Sequence, residues 1–255
     1  MHTDTDTLHF LDDEGDTGVV AGLVWRLLVI DDEPDVHRAT TFALAGVKIL
    51  GRPLQFLHAY SAAEATQLLR TESDVAVVLL DVVMEREDAG LALVKTIRQD
   101  LRLTELRIIL RTGQPGYAPE IETIHDFDIN DYKTKSELTR TKLYATVTAA
   151  VRAYEQIRKL DQLAFYDRLC SLPNRNKFID LSDERLASEQ CSNDVIGILD
   201  IDDFSEINDA LGHQQGDRLL QAVADRLKLE FGNNVILARL GGDTFGLMGP
   251  LRVLD

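Results

Sequence analysis

Four short apolar runs, each followed by a residue able to do chemistry, constrain this chain more than any other feature. Leu27-Leu28-Val29-Ile30 leads into Asp31 and Asp32, and Val75-Ala76-Val77-Val78-Leu79-Leu80 leads into Asp81. Thr112 follows Arg107-Ile108-Ile109-Leu110, and Lys135 follows a short fourth run. The runs are continuously apolar and β-branched, not alternating, which reads as parallel strands buried on both faces. In an open α/β sheet the ligand site lies beyond the carboxyl ends of such strands. Three carboxylates, a hydroxyl and an ammonium are therefore expected at one sheet edge.

Clustered carboxylates repel one another and stay ionised at neutral pH when a cation shares the site. A hard divalent ion such as Mg²⁺ fits, because it takes one or two carboxylates, keeps several waters and binds phosphate oxygens. That chemistry suits phosphoryl transfer to a carboxylate, with Lys135 neutralising one phosphoryl oxygen and Thr112 hydrogen-bonding another. The stretch from about Arg26 to Tyr154 resembles the receiver domain of two-component response regulators. The matching residues are Val29-Ile30-Asp31-Asp32-Glu33-Pro34, Leu80-Asp81-Val82-Val83-Met84, Thr112 and Asp131-Tyr132-Lys133-Thr134-Lys135. The resemblance implies that Asp81 is the phosphoacceptor, that Asp31 and Asp32 hold Mg²⁺ with Asp81, and that Val83 offers a backbone carbonyl. It also makes Thr112 and Tyr132 the switch pair and Lys135 the contact to the acyl phosphate. Its implied partner is a sensor histidine kinase or phosphotransfer protein.

Two departures stand out. Glu85 follows Met84 where the family usually has Pro, and Gly90 comes one residue later than the family's Gly, in a loop that also carries Glu87 and Asp88. Thr112 is followed by Gly113-Gln114-Pro115-Gly116 instead of the common Ala, which points to a specialised partner-facing loop.

A chain of 255 residues suffices for two domains without disulfide staples. Cys170 and Cys191 form no metal spacing, and this usage fits a reducing cytoplasm. A formal charge of -16 opposes non-specific attraction to nucleic acid, so no nucleic-acid partner is expected. No run approaches the length of a membrane span, and no secretory signal pattern opens the chain. The first residues carry Asp4, Asp6, Asp12, Asp13, Glu14 and Asp16 with little apolar content, the composition of a mobile leader.

After Lys135, Leu143, Val147, Ala150, Tyr154 and Ile157 recur at four- and three-residue steps, continued by Leu160 and Ala164. The spacing predicts a helix from about Glu137 to Ala164, roughly 42 Å long. It is read either as packing on the receiver sheet and then running on as a solvated connector, or as a signalling helix that forms a homodimer like a short coiled coil.

Downstream, Phe165-Tyr166-Asp167-Arg168-Leu169-Cys170-Ser171-Leu172-Pro173-Asn174-Arg175 resembles the opening segment of GGDEF domains, the diguanylate cyclase family. Val195 to Ile201 is predicted as a buried strand ending in Asp200-Ile201-Asp202-Asp203-Phe204, before Ile207-Asn208-Asp209-Ala210-Leu211-Gly212-His213 and Gly216-Asp217. Leu237-Ala238-Arg239-Leu240-Gly241-Gly242-Asp243-Thr244-Phe245 completes the likeness, and Gly241-Gly242 predict a tight hairpin turn. The resemblance implies that Asp200, the Ile201 carbonyl and Asp243 bind metal, and that Asn208 and Asp217 recognise guanine. Its implied ligands are Mg²⁺ and GTP, with Gly241 and Gly242 in the nucleotide site. Asn208 and Asp217 also read as plain helix caps.

Thr244 stands where the signature has a second acid, Ser205 where many active members place a Lys, and Gly232-Asn233-Asn234-Val235 where an inhibitory Arg-x-x-Asp lies. Lost charge-assisted contacts weaken catalysis more than binding. The family's fold normally continues past the position of Asp255, so a partial module of a longer protein is expected, of the receiver-GGDEF-EAL kind by analogy.

The expected fold class is α/β: a doubly wound five-stranded parallel sheet of the receiver, flavodoxin-like type, a long connecting helix, and a partial α+β GGDEF domain. The divisions are 1–24 leader, 25–140 receiver, 141–164 helix and 165–255 GGDEF. The expected function is a cytoplasmic response regulator, phosphorylated on Asp81, controlling a cyclic-di-GMP output through a degenerate GGDEF module. Two rivals are an active diguanylate cyclase and a receiver used for docking or dimerisation beside a scaffold or GTP-sensing module.

Overall fold

The computed structural model describes residues 24–113, 129–135, 139–187 and 193–250. The acidic leader, Gln114-Pro115-Gly116, Glu137, Cys191 and residues 251–255 lie outside them. The chain divides into two units, Met1–Tyr154 and Glu155–Asp255.

The first unit is a twisted sheet of strands β1 (Trp25–Ile30), β2 (Lys48–Ile49), β3 (Arg52–Ala59), β4 (Val75–Asp81), β5 (Arg107–Thr112) and β6 (Asp131–Thr134). Their order is β2-β3-β1-β4-β5-β6. Five strands run parallel, and the two-residue β2 is an antiparallel addition at the edge. Strand order reverses at β1, so the crevice between the carboxyl ends of β1 and β4 is the topological switch point of the doubly wound sheet.

Alternation along each buried strand sends residues to two cores. Leu28, Ile30, Val78, Leu80, Ile108 and Leu110 pack with Ala65 and Leu69 of α2 (Ala62–Thr71) and with Leu93 and Val94 of α3 (Ala89–Lys95). Leu27, Val29, Val77, Leu79 and Ile109 pack on the other face with Leu44, which follows α1 (Pro34–Ala43), and with α4 (Arg140–Phe165). Both helices after the first strands start on local signals: Pro34 sits in the first turn of α1, and the Ser61 side chain caps α2 by accepting from the Glu64 N–H. Gly90 is required where it stands. A Cβ there would lie 2.2 Å from the Asp81 carbonyl oxygen, and its N–H donates to the Val82 carbonyl.

The long helix is present, but its leading half is not a free seam. Leu143, Val147, Ala150, Val151 and Tyr154 are buried in the first unit's own core, where Tyr154 meets Trp25 edge-on at 6.3 Å. Farther along, Leu160 and Leu163 are exposed.

The second unit comprises the rest of α4, α5 (Arg175–Leu186), β7 (Asp194–Asp200), α6 (Phe204–Leu211), α7 (His213–Phe231), β8 (Ile236–Gly241) and β9 (Thr244–Pro250). The strands form an antiparallel sheet in the order β7-β9-β8. Leu220 and Ala224 of α7 pack with Cys170, Leu172, Leu237, Phe245 and Leu247, while Phe178 of α5 covers Ala238 and Met248 on the opposite face. The expectation of a buried strand after Val195 is corrected here: β7 is an edge strand, with Ile196 and Ile198 55% and 63% exposed among the described residues.

Candidate functional site

The first unit gathers its acids at the switch point. Asp31 directly follows β1 and is fully buried, Asp81 ends β4 and is 3% exposed, and Asp32 and Glu33 are exposed beside them. Among the described residues these four form the only group of three or more acidic, His or Cys side chains whose donor atoms all lie within 4.8 Å of one another. Lys135, one residue past β6, reaches across the sheet edge to Asp81 Oδ2 at 2.8 Å, Glu33 Oε1 at 3.1 Å and Asp31 Oδ2 at 3.2 Å. Thr112 ends the neighbouring β5 and is fully buried, and Tyr132 lies half-buried in β6. The Val83 N–H approaches Asp81 Oδ1 at 3.4 Å.

Burial pushes the Asp81 carboxyl above its ordinary pKa and the nearby Asp31 charge pushes the same way, against the opposing hydrogen bond and charge of Lys135. For Lys135, burial alone would favour the neutral amine. Its hydrogen bond to Asp81 and the charges of Asp31 and Asp81 outweigh that and hold the ammonium well above its usual range. The pocket therefore presents a desolvated carboxylate beside a firmly charged ammonium, the arrangement of a nucleophile poised against an anion-binding group. The donor set is hard carboxylate oxygen throughout and suits a small hard cation such as Mg²⁺.

Two buried features here are not announced by the acid spacing. Arg111, 3% exposed in β5, donates to Thr40 Oγ1 at 3.0 Å and lies 3.5 Å from Asp31 Oδ2. An arginine inside a continuously buried strand was the available signal. His37 Nε2 lies 2.7 Å from the Asp31 carbonyl oxygen, so that nitrogen donates. Its Nδ1 then accepts from His58 Nδ1 at 2.9 Å. Burial first, and His37 second, hold His58 below its ordinary pKa.

The second unit's site is more open. Asp200 ends β7, is exposed, and pairs in register with Thr244 of β9, whose hydroxyl donates to Asp200 Oδ1 at 2.8 Å. The hydroxyl thus occupies the position expected for a second acid. Gly241 and Gly242 adopt φ of 140° and 56°, so the predicted tight turn forms where L side chains are strained, with Asp243 half-buried after it. Ile201 is half-buried directly after β7. Asn208 sits inside α6 and exposed Asp217 inside α7, so neither is an N-cap. Asn208 Oδ1 is buried and has no hydrogen-bond partner, and Gly216 packs so closely that a Cβ would fall 2.0 Å from it.

A clamp behind the hairpin was not foreseen. Arg239 donates to both Asp167 oxygens at 3.1 Å and to the Gly242 carbonyl. Asp167 also accepts from the Leu169 and Cys170 N–H groups. Burial raises the Asp167 pKa, but the Cys170 N–H and Arg239 overcome it and hold the carboxyl below its usual range.

Residues 164–251 match the family model "Diguanylate cyclase, GGDEF domain", so a GGDEF domain occupies this part of the chain. The 3'3'-cGAMP-specific phosphodiesterase 2 of Vibrio cholerae is 44% identical over 133 residues, which are 52% of this chain and 26% of that protein. Diguanylate cyclase VdcA of Vibrio cholerae is 33% identical over 128 residues, 50% of this chain and 37% of that protein. The chain thus spans well under half the length of either relative. Among solved structures, the coiled coil and GGDEF domain of DgcB from Caulobacter crescentus in complex with c-di-GMP is 30% identical, covers 43% of this chain and 59% of that one, and has a TM-score of 0.40. A CheY-like response regulator receiver domain protein from Methanospirillum hungatei is 18% identical, covers 52% of this chain and 98% of that one, and has a TM-score of 0.42.

Proposed function

We propose that this chain is a response-regulator module of cyclic-di-GMP signalling, in which the first unit takes a phosphoryl group on Asp81 and the GGDEF domain binds nucleotide with little turnover. The observation that carries the first half is the Asp81 carboxylate, nearly buried at the switch point, with Lys135 at 2.8 Å and three further acids within 4.8 Å. An Asp81 oxygen attacks the phosphorus of a donor, the bond from phosphorus to the donor's leaving atom breaks (the ring nitrogen of a phosphohistidine, or the carboxylate oxygen of acetyl phosphate), and the new acyl phosphate stays beside Lys135. Asp31, Asp32 and Asp81, with the Val83 carbonyl, would hold Mg²⁺, which supplies neutralising charge for phosphoryl oxygens. Thr112 and Tyr132 are the switch pair of this reading, and its natural donor is a histidine kinase or phosphotransfer protein. None of the described helices is long and apolar enough to cross a membrane. Dimerisation, if the long helix serves it, uses the part beyond Tyr154, because the part before it is committed to the first unit's core.

For the GGDEF domain, Asp200 and Asp243 are the metal-binding acids, and Asn208 and Asp217 the guanine contacts. The unpartnered buried amide oxygen of Asn208 agrees with a site that awaits a ligand donor. Thr244 hydrogen-bonded to Asp200 supports weak catalysis, since charge is missing where the transition state develops it.

Intact-mass measurement after acetyl phosphate treatment tests the main reading. One added phosphoryl group is expected with Mg²⁺ and none in Asp81→Asn; labelling that persists in Asp81→Asn removes the assignment. A GTP assay by chromatography separates the cyclase rival: robust cyclic-di-GMP synthesis would overturn the second half.

A further inference from the structure

Arg111 is the most deeply buried cation described above, and its place in the pocket is unlike that of Lys135. It lies in β5 between Leu110 and Thr112, both fully buried, and is itself 3% exposed. Its two terminal nitrogens are committed, one to Thr40 of α1 at 3.0 Å and the other toward Asp31 Oδ2 at 3.5 Å. Its Nε is buried with no hydrogen-bond partner. Thr40 in turn donates to the Val36 carbonyl, so the guanidinium is anchored to the body of α1.

Burying a guanidinium is costly unless an anion shares the burial, and this side chain does not shed its proton to escape the cost. Asp31 and Asp81 are the anions whose charge acts on it. Lys135 holds three acids from a flexible stem with 21% exposure, so it is free to re-aim when a ligand enters. Arg111 has no such freedom. Four carboxylates thus face one mobile and one fixed cation, and a divalent ion would bring the cluster to neutrality. Without Arg111 the same ion would meet one more uncompensated negative charge.

We propose that Arg111 is a fixed internal counter-charge that weakens the pocket's affinity for divalent cations. This rests on reading the pocket as a cation-dependent phosphorylation site. Any cation taken up there shares Asp31 with a guanidinium that does not withdraw. Arg111 is not a catalytic residue in this sense: it acts on the cation by its own charge, held a few ångströms away, and touches no reacting atom.

The test is cation binding to the whole chain, with Mn²⁺ as probe, read from the paramagnetic resonance of the free ion and repeated with Mg²⁺ by calorimetry. Arg111→Met is expected to bind at least about tenfold more tightly than the unsubstituted chain, because one positive charge a few ångströms away is removed. Arg111→Lys, which keeps the charge and loses the fork, is expected to stay within about threefold. Unchanged or weaker binding by Arg111→Met overturns the proposal, and so does an equal shift in both variants, which would make the role one of packing. If Arg111→Met does not fold, the buried pair is removed together as Asp31→Asn/Arg111→Met and compared with Asp31→Asn alone. The double variant should then bind more tightly by a similar factor, and equal affinities overturn the idea. Phosphorylation by acetyl phosphate is scored separately by mass. A chain that binds Mn²⁺ as stated but accepts no phosphoryl group sinks the functional reading alone, while a phosphorylated chain indifferent to Arg111 sinks this inference alone.

Discussion

At the end of β4 the Asp81 carboxylate is 3% exposed and has an ammonium at 2.8 Å, whereas at the end of β7 the Asp200 carboxylate is exposed and accepts from the neutral Thr244 hydroxyl. Both acids sit at the carboxyl end of a strand, yet their surroundings set different costs. In the first unit the strands are covered on both faces, so each charge brought to the edge needs a partner inside the protein. In the second, water reaches the strand end and screens what the protein leaves uncompensated. A buried site is therefore fixed by its charge balance. An open one tolerates substitution and leaves its electrostatics to a ligand.

The largest expected effect breaks the comparison most directly. Val147 is fully buried against the first sheet, while Ile198 on β7 is 63% exposed. Val147→Glu places an unpaired carboxylate in a closed core and is expected to cost about 4 kcal/mol or more. Ile198→Glu is expected to cost under about 1 kcal/mol. Urea unfolding read from Trp25 emission reports the first unit, since this is the chain's single tryptophan and lies in β1, and peptide-resolved hydrogen exchange reports the second. Similar losses for both substitutions would mean that β7 is as enclosed as the first sheet.

That contrast also explains what the sequence made legible. Asp31, Asp81, Thr112 and Lys135 are readable because unbroken apolar runs precede them, and such runs have few uses other than doubly covered strands. β3 hides, because Pro53, Gln55 and His58 interrupt its pattern and its outer neighbour is only the two-residue β2. Ile196 and Ile198 mislead for the opposite reason: their composition says buried, and burial depends on which strands stand beside β7. The seam from Leu143 to Tyr154 is a true helical face, but period alone does not say whether a sheet or a second chain covers it. Thr244 was visible as a substitution. Its bond to Asp200 was not, because cross-strand register is a property of the folded hairpin.

A smaller effect tests how much charge compensation the open unit retains behind its hairpin. Asp167 is held below its ordinary pKa, burial being outweighed by the Cys170 N–H and by Arg239. Between the folded and unfolded values the unfolded chain binds more protons, so this group's contribution is full above the unfolded value and fades as pH falls through the folded one. Asp167→Asn is expected to lower the second unit's stability by about 1–2 kcal/mol at about pH 7, with the gap closing as pH falls through the folded value. Unfolding series at several pH values check this. A gap that stays constant into acid would show that the amide and the carboxylate serve the Arg239 clamp equally.

The smallest effect is expected at the open strand end itself. Thr244→Glu sets a carboxylate directly opposite Asp200 in the β7–β9 register. Like charges facing each other across strands are unfavourable, but Asp200 is exposed and solvent screens the pair, so the cost should be only about 0.5 kcal/mol. The substitution also removes the hydroxyl that donates to Asp200 Oδ1 and sets two acids opposite each other across the strands. Added Mn²⁺ should then recover the lost stability in the variant and change the unsubstituted domain much less, since binding to the folded state alone raises its stability. Thermal unfolding of the GGDEF domain within the whole chain, with and without Mn²⁺, gives the answer. A cation response equal in the two proteins would show that Thr244 does not limit the open site, and the difference between the two strand ends would then lie in burial alone.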